Sequence, residues 1–276
     1  NARAVKGATS SATLKLSAPK GWAIETPYGR GVGQVLDVSN PQRRFDRPLG
    51  WMIAGKLGVR RDTVGERIVS VASPLGSELR SNDVLAFVRW TLPSLLDIFP
   101  AFPERLLIVS GPPEMWRGGL SGVGSLYLHG DRPLISGNRT SPMLHELFHV
   151  ASRLHGRDGA DWIVEGLAEY YSLKLLQRAG GISERRYNEA FATLAQWSGD
   201  TPCVATDYSQ GKQTARAVLV MRSLDSEIQA GTHEKSSLDT VVRMLVHANK
   251  PVTNADFRAA ATQLLQEVPR ALADCP

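Results

Sequence analysis

No stretch of the chain approaches the roughly 18 consecutive apolar residues of a membrane-spanning helix, and no signal-peptide pattern opens it. No membrane span is therefore expected. Cysteine is scarce: only Cys203 and Cys275 are present, and neither sits in a CxxC or Cys-His cluster. A second, cysteine-built metal site is therefore not expected. The two are either a bridge tying the C-terminal end to the loop before Tyr208, or two free thiols. A bridge would suit an oxidising compartment, which makes a periplasmic or secreted location the expectation. Excess charge is also small, a net +5 from 32 basic against 27 acidic residues. The basic pairs Arg43-Arg44, Arg60-Arg61 and Arg185-Arg186 are scattered without interleaved aromatics. They read as a solvated surface, and no nucleic-acid partner is expected. Internal repeats and low-complexity segments are lacking too. The first residue is Asn1 rather than methionine, which reads as a processed or trimmed start.

What is present is ordinary for a soluble globular protein: 42% hydrophobic and 21% charged residues in a chain of 276. That length holds one large domain or two small ones. Residues 1–75 are punctuated by glycine and proline and read as a β-rich N-terminal region, or as an extension of the sheet that follows. Within it, residues 13–16 and 31–38 suit short strands, and residues 51–59 and 67–72 suit a strand pair around a polar turn at 60–66. Residues 76–276 read as the chemical part. Ser81-Asn82-Asp83 starts a helix that stops near Ile98, residues 105–110 form a buried strand, and 111–119 a loop. Residues 124–129 then read as an edge-like strand. Later helices are expected over 183–198, 213–230, 237–248 and 254–273, with a capping box at Thr253–Asp256.

The chemistry concentrates in Leu144-His145-Glu146-Leu147-Phe148-His149-Val150. Ser141-Pro142 opens a helix there, because proline suits the first turn. On it His145 and His149 lie at i and i+4, so both imidazoles leave one face a turn apart. Two nitrogens so placed can bind one metal at about 2.0–2.1 Å. Glu146 stands beside them, where a carboxylate can take a proton from an attacking water. A zinc site with an open position needs a third protein ligand. Fifteen residues after His149 comes Glu165, which opens an acidic i, i+4 pair with Glu169 on a second helix over 162–177, capped by Asp161 and stopped by Gly180-Gly181. Apolar neighbours Trp162, Ile163 and Leu167 suggest that Glu165 is drawn inward, where a carboxylate needs a cation. Glu165 is read as the third ligand and Glu169 as the partner that orients a ligand histidine. The other histidines, His129, His155, His233 and His247, show no ligand spacing and read as surface or loop residues. Tyr170 and Tyr171 read as helix packing.

At these residues the sequence resembles the gluzincin metallopeptidases, most of all the glycyl aminopeptidase family, relatives of aminopeptidase N. Four landmarks match in order across roughly residues 80–265: Gly118-Gly119-Leu120 resembles the GGLEH segment, HELFH (145–149) and EGLAEYY (165–171) resemble the metal motifs, and Tyr208-Ser209-Gln210-Gly211 resembles Tyr-x-Lys-Gly. The resemblance implies an α+β, thermolysin-like catalytic domain with a mixed sheet, an edge strand, the HExxH helix and a helical C-terminal part. It implies one Zn2+ per chain on His145, His149 and Glu165, Glu146 as general base, and Tyr208 as the donor to the tetrahedral intermediate. Gly118, Gly119, Leu120 and Ser121 would align a peptide or protein substrate. From the residues alone, Tyr208 reads as packing its ring at a helix end, and 118–121 as an ordinary glycine-rich loop.

The pattern departs from the family at Ser121, where it has an acidic residue, at Gly122, where it has histidine, and at Gln210, where it has lysine; no PDZ-like module lies within the residues to Pro276. An acidic residue at position 121 could hold a substrate's free amino terminus. Its replacement keeps an endopeptidase open beside an aminopeptidase, and also a peptide-binding module of the same fold with weak or no catalysis. The sequence is silent on oligomeric state.

Overall fold

The computed structural model describes residues 7–39 and 45–276; the Arg43-Arg44 pair lies outside them. The chain divides into two compact units, one running through Arg89 and taking in Pro103–Arg132, the other made of Trp90–Phe102 and Pro133–Pro276.

The first unit is β-rich. Strands β1 (Ala12–Lys15), β2 (Ala23–Thr26), β3 (Gly29–Arg30), β4 (Val35–Val38) and β5 (Ile53–Gly55) form two small antiparallel sheets, β1-β4 and β3-β2-β5. Its main sheet takes β6 (Leu57–Val64), β7 (Arg67–Pro74), β8 (Arg105–Val109), β9 (Gly119–Gly122) and β10 (Ser125–Leu128) in the order β6-β7-β8-β10-β9. The two interior junctions, β7 with β8 and β8 with β10, are parallel, and the two outer ones antiparallel. Ala72, Leu107, Val109 and Tyr127 form a buried cluster under Trp51, Ile53 and Val59.

Three expectations change here. The polar stretch 60–66 is not a turn. Residues 60–64 continue β6, an outer strand whose charged side chains can stay in water, and the chain reverses at Gly65 and Glu66, both at positive φ (52° and 65°). Two left-handed residues in a row make the tight turn whose twist matches the flanking strands. Residues 53–55 pair with β2 instead. Next, β10 is no edge: it lies between β8 and β9 with all four residues buried, and the outer strand is β9. His129 is no surface residue either, being 2% exposed with Nε2 3.1 Å from Pro113 O.

The second unit is helical: after α1 (Ser81–Leu96), within which the unit boundary falls, come α2 (Pro142–Ser152), α3 (Asp161–Arg178), α4 (Glu184–Ser198), α5 (Lys212–Gly231), α6 (Leu238–Ala248) and α7 (Asn254–Leu265). α3 is central and packs against α2 and α5. Phe148 of α2 stacks on Tyr171 of α3, ring centroids 5.1 Å apart. The expected helix 254–273 stops at Leu265. Gln266 turns left-handed (φ 62°), its N–H donating to Thr262 O, and Pro269 then precedes a short 3-10 turn over Arg270–Leu272. The capping box at Thr253 and Asp256 is formed as read from the sequence. Cys203 and Cys275 are joined in a disulfide, Cα atoms 5.0 Å apart. No helix among the described residues is long and apolar enough to cross a membrane.

Candidate metal centre

Ser141 stands at the N-cap of α2 in extended conformation, and its Oγ accepts the Leu144 N–H at 3.2 Å while Pro142 fills the first helical position. The helix closes at Arg153, whose N–H donates to His149 O. Its apolar positions Met143, Leu144, Leu147, Phe148 and Val150 are buried. Burial of that stripe leaves His145 and His149 on the remaining face, their side chains 18% and 14% exposed. Glu146 between them is buried.

α3 supplies the acids. His145 Nε2 and His149 Nε2 face each other at 3.1 Å, and the two oxygens of Glu165 lie 3.3 Å from the first and 3.5 Å from the second. His145 Nδ1 is 3.1 Å from Glu169 Oε2. With Glu169 accepting the Nδ1 proton, Nε2 is left to bind a metal. Among the described residues, His145, His149 and Glu165 are the group of three whose ligand atoms converge, all within 4.8 Å of one another.

The electrostatics agree with that donor set. Burial lowers the His145 pKa, yet hydrogen bonds with Glu165 and Glu169 outweigh it and raise it to about 10. His149 moves the opposite way, to about 4, through burial and the neighbouring His145 charge. Glu165 is held below the ordinary carboxylate value: burial opposes this, and the His145 hydrogen bond outweighs burial. The acids thus favour positive charge at His145, while His149 is favoured neutral, the form in which an imidazole binds a metal. Two imidazoles and one carboxylate around one point are the donors of a catalytic zinc site with an open position. The residues fit the metal.

The remaining candidates are placed as follows. Tyr208 stands just before α5 and is 71% exposed. Gly118 ends the loop before β9; Gly119, Leu120 and Ser121 lie in β9, paired with Leu128, Tyr127 and Leu126 of β10. Leu120 is half exposed, and its carbonyl accepts the Trp51 indole N–H at 2.8 Å. These four belong to the first unit and the His-Glu cluster to the second.

Two features of the second unit escape the sequence reading. Asp161 does not cap α3: Ala160 holds the N-cap, and the Asp161 carboxylate accepts the Ser209 N–H at 2.6 Å. A buried polar network also joins α3 to α5 and α6. Tyr170 and Lys174 both bond Asp225 Oδ2, at 2.6 and 2.7 Å, while Tyr171 and Arg178 each bond Asp239 at 2.7 Å. Lys174 inside the apolar run Leu173–Leu176 was the one visible signal, since a buried lysine needs acids.

Among the described residues, the five-stranded mixed sheet and seven α-helices make a fold similar to that of M1 zinc metallopeptidases. An aminopeptidase N family protein from Idiomarina loihiensis superposes with a TM-score of 0.67 at 19% identity, over 86% of this chain and 49% of that one. An M1 zinc metallopeptidase mutant from Deinococcus radiodurans bound to a Tyr-Ser-Ala substrate gives 0.56 at 17% identity, over 95% and 58%. A two-domain M1 zinc metallopeptidase mutant bound to L-tryptophan gives 0.57 at 18%, over 92% and 57%. The chain therefore spans between about half and three fifths of these structures. No protein-family model matches it, and no curated protein matches its sequence.

Proposed function

We propose that the chain is a zinc-dependent peptidase of the gluzincin, thermolysin-like type, acting as an aminopeptidase. One observation carries this reading: on an M1-like fold, His145, His149 and Glu165 converge on one point, with Glu169 Oε2 3.1 Å from His145 Nδ1. One zinc ion per chain would be held by these three residues. When bound, it supplies a Lewis acid that polarises a carbonyl and lowers the pKa of water to about 7.

The chain's own residues do the rest. Glu146 takes a proton from the attacking water on its carboxylate and hands it to the leaving amine. Glu169 keeps the His145 proton on Nδ1, so that Nε2 stays a donor. The Tyr208 phenol donates to the oxygen that gains negative charge in the tetrahedral intermediate. β9 is an outer strand, and an extended peptide can lie along Gly119–Ser121, with Gly118 leading into it. The disulfide supports a periplasmic or secreted location, because such bonds persist in oxidising compartments.

The test is a mixed peptide library incubated with zinc-loaded protein and read by mass spectrometry, with Glu146→Gln as control. Loss of single amino-terminal residues, absent in the control, is the expected result. Internal cuts would make it an endopeptidase. A library unchanged by the wild-type protein would turn the reading to a peptide-binding module.

A further inference from the structure

The segment bearing Tyr208 is gripped on both sides by one residue of α3. Asp161 donates its N–H to Thr206 O at 3.1 Å, and its Oδ2 accepts the Ser209 N–H at 2.6 Å. Further bonds close the same joint. Thr206 N–H donates to Gly159 O at 2.8 Å, and Gly159 N–H donates to Asp207 Oδ1 at 2.8 Å. Thr206 Oγ1 accepts the Tyr208 N–H at 3.2 Å and donates to Tyr208 O at 3.0 Å. The approach is close enough to need glycine at 159: its φ is +79°, and a Cβ there would lie 2.7 Å from the Ala205 Cβ. Ser209 Oγ, 3.1 Å from Thr214 Oγ1, ties the far end into the first turn of α5.

The grip has a direction. With Tyr208 71% exposed, packing restrains it little, and the main-chain bonds fix the backbone from which its phenol projects. A carboxylate accepting a backbone N–H makes a charge-assisted bond roughly twice as strong as a neutral one. A negative charge in the first turn of α3 is also favoured by the helix dipole. Glu165 follows Asp161 by one helical turn, and Glu169 by two. The loop holding Tyr208 is therefore referenced to the same rigid helix that carries two acids of the His-Glu cluster.

We infer that Asp161 is a positioning residue, holding Tyr208 in register with His145, His149 and Glu165 so that its phenol meets the developing oxyanion. This rests on the peptidase reading with Tyr208 as donor. Positioning matters at this scale, since a misplacement of about 1 Å can cost on the order of 100-fold in rate.

The test uses the full zinc-loaded chain and four variants: Asp161→Ala, Asp161→Asn, Tyr208→Phe, and Asp161→Ala with Tyr208→Phe. Zinc content, kcat and KM on a peptide, and hydrogen exchange at the Ser209 amide are measured. The expected result is full zinc content and loss of Ser209 protection in Asp161→Ala, with kcat down about 10- to 100-fold and KM little changed. The double variant should be no slower than Tyr208→Phe alone. Asp161→Asn keeps an acceptor oxygen and should recover much of both protection and kcat; it also serves should the alanine variant fail to fold. A further kcat loss on top of Tyr208→Phe would overturn the inference, as would unchanged kcat with Ser209 unprotected. Absence of hydrolysis by the wild-type chain would remove the peptidase reading and the positioning role with it, and Ser209 exchange would show separately whether the grip exists.

Discussion

A Cβ added to Gly166 would lie 2.7 Å from the Cβ of Ala217, so α3 and α5 touch closely one residue beyond Glu165. Gly166→Ala gains about 1 kcal/mol of helix propensity but must push the two helices apart, at a cost of about 1–3 kcal/mol. A net loss of stability in chemical denaturation is expected, together with weaker zinc binding as Glu165 shifts. Wild-type stability and affinity in this variant would show that α3 slides freely against α5.

Glu169 meets His145 on Nδ1 at 3.1 Å, on the side away from the cluster's centre. Glu169→Ala should keep the fold, read by circular dichroism, and lower zinc affinity about 10- to 100-fold in competition with a chromogenic chelator. Equal affinity would dismiss the orienting role.

Glu146 is buried on α2 beside the two imidazoles, and its charge acts on His145. Glu146→Gln should bind zinc as the wild type does while turnover falls about 10²- to 10⁴-fold. Retained turnover would falsify its assignment as the base.

Asp225 and Asp239 have pKa values below the ordinary 3.8: burial acts to raise them, and Lys174, helped by the tyrosine hydroxyls and by Arg178 at Asp239, lowers them further than burial raises them. A depressed folded-state pKa contributes stability that is fully present above 3.8 and is lost as pH falls through the folded values. The acid limb of unfolding below pH 3.8 should therefore depend on Lys174. Lys174→Met leaves Asp225 buried without its cation while Asp239 keeps Arg178, which should cost about 3–5 kcal/mol near neutral pH and move acid unfolding to higher pH. Coincident acid midpoints for the two proteins would mean that this network does not control the transition.

The disulfide closes a loop with a sequence separation of 72 between Cys203 and Cys275. Chain-entropy arguments put its contribution at up to about 4 kcal/mol. Reduction, or Cys275→Ser, should lower the unfolding temperature in calorimetry. No shift would place the stabilisation elsewhere.

The features legible in the sequence are those set by neighbours along the chain. Helical periodicity alone puts His145 and His149 on one face, and Ser141-Pro142 and Thr253–Asp256 declare their helix starts through bonds spanning three residues. The acidic pair Glu165 and Glu169 follows from the same period. Tertiary structure decided what depends on distant partners. Whether β9 or β10 forms the edge is a question of strand order, and two short segments separated by Val123 and Gly124 look alike until β8 takes one of them. Asp161 reads as a helix cap in isolation, but its carboxylate is claimed by Ser209, 48 residues away. Lys174 looks misplaced in an apolar run until α5 and α6 bring Asp225 and Asp239 to it. Local rules act through backbone geometry within a few residues, whereas ion pairs and sheet order are fixed only when packing brings remote segments together and removes water from between them.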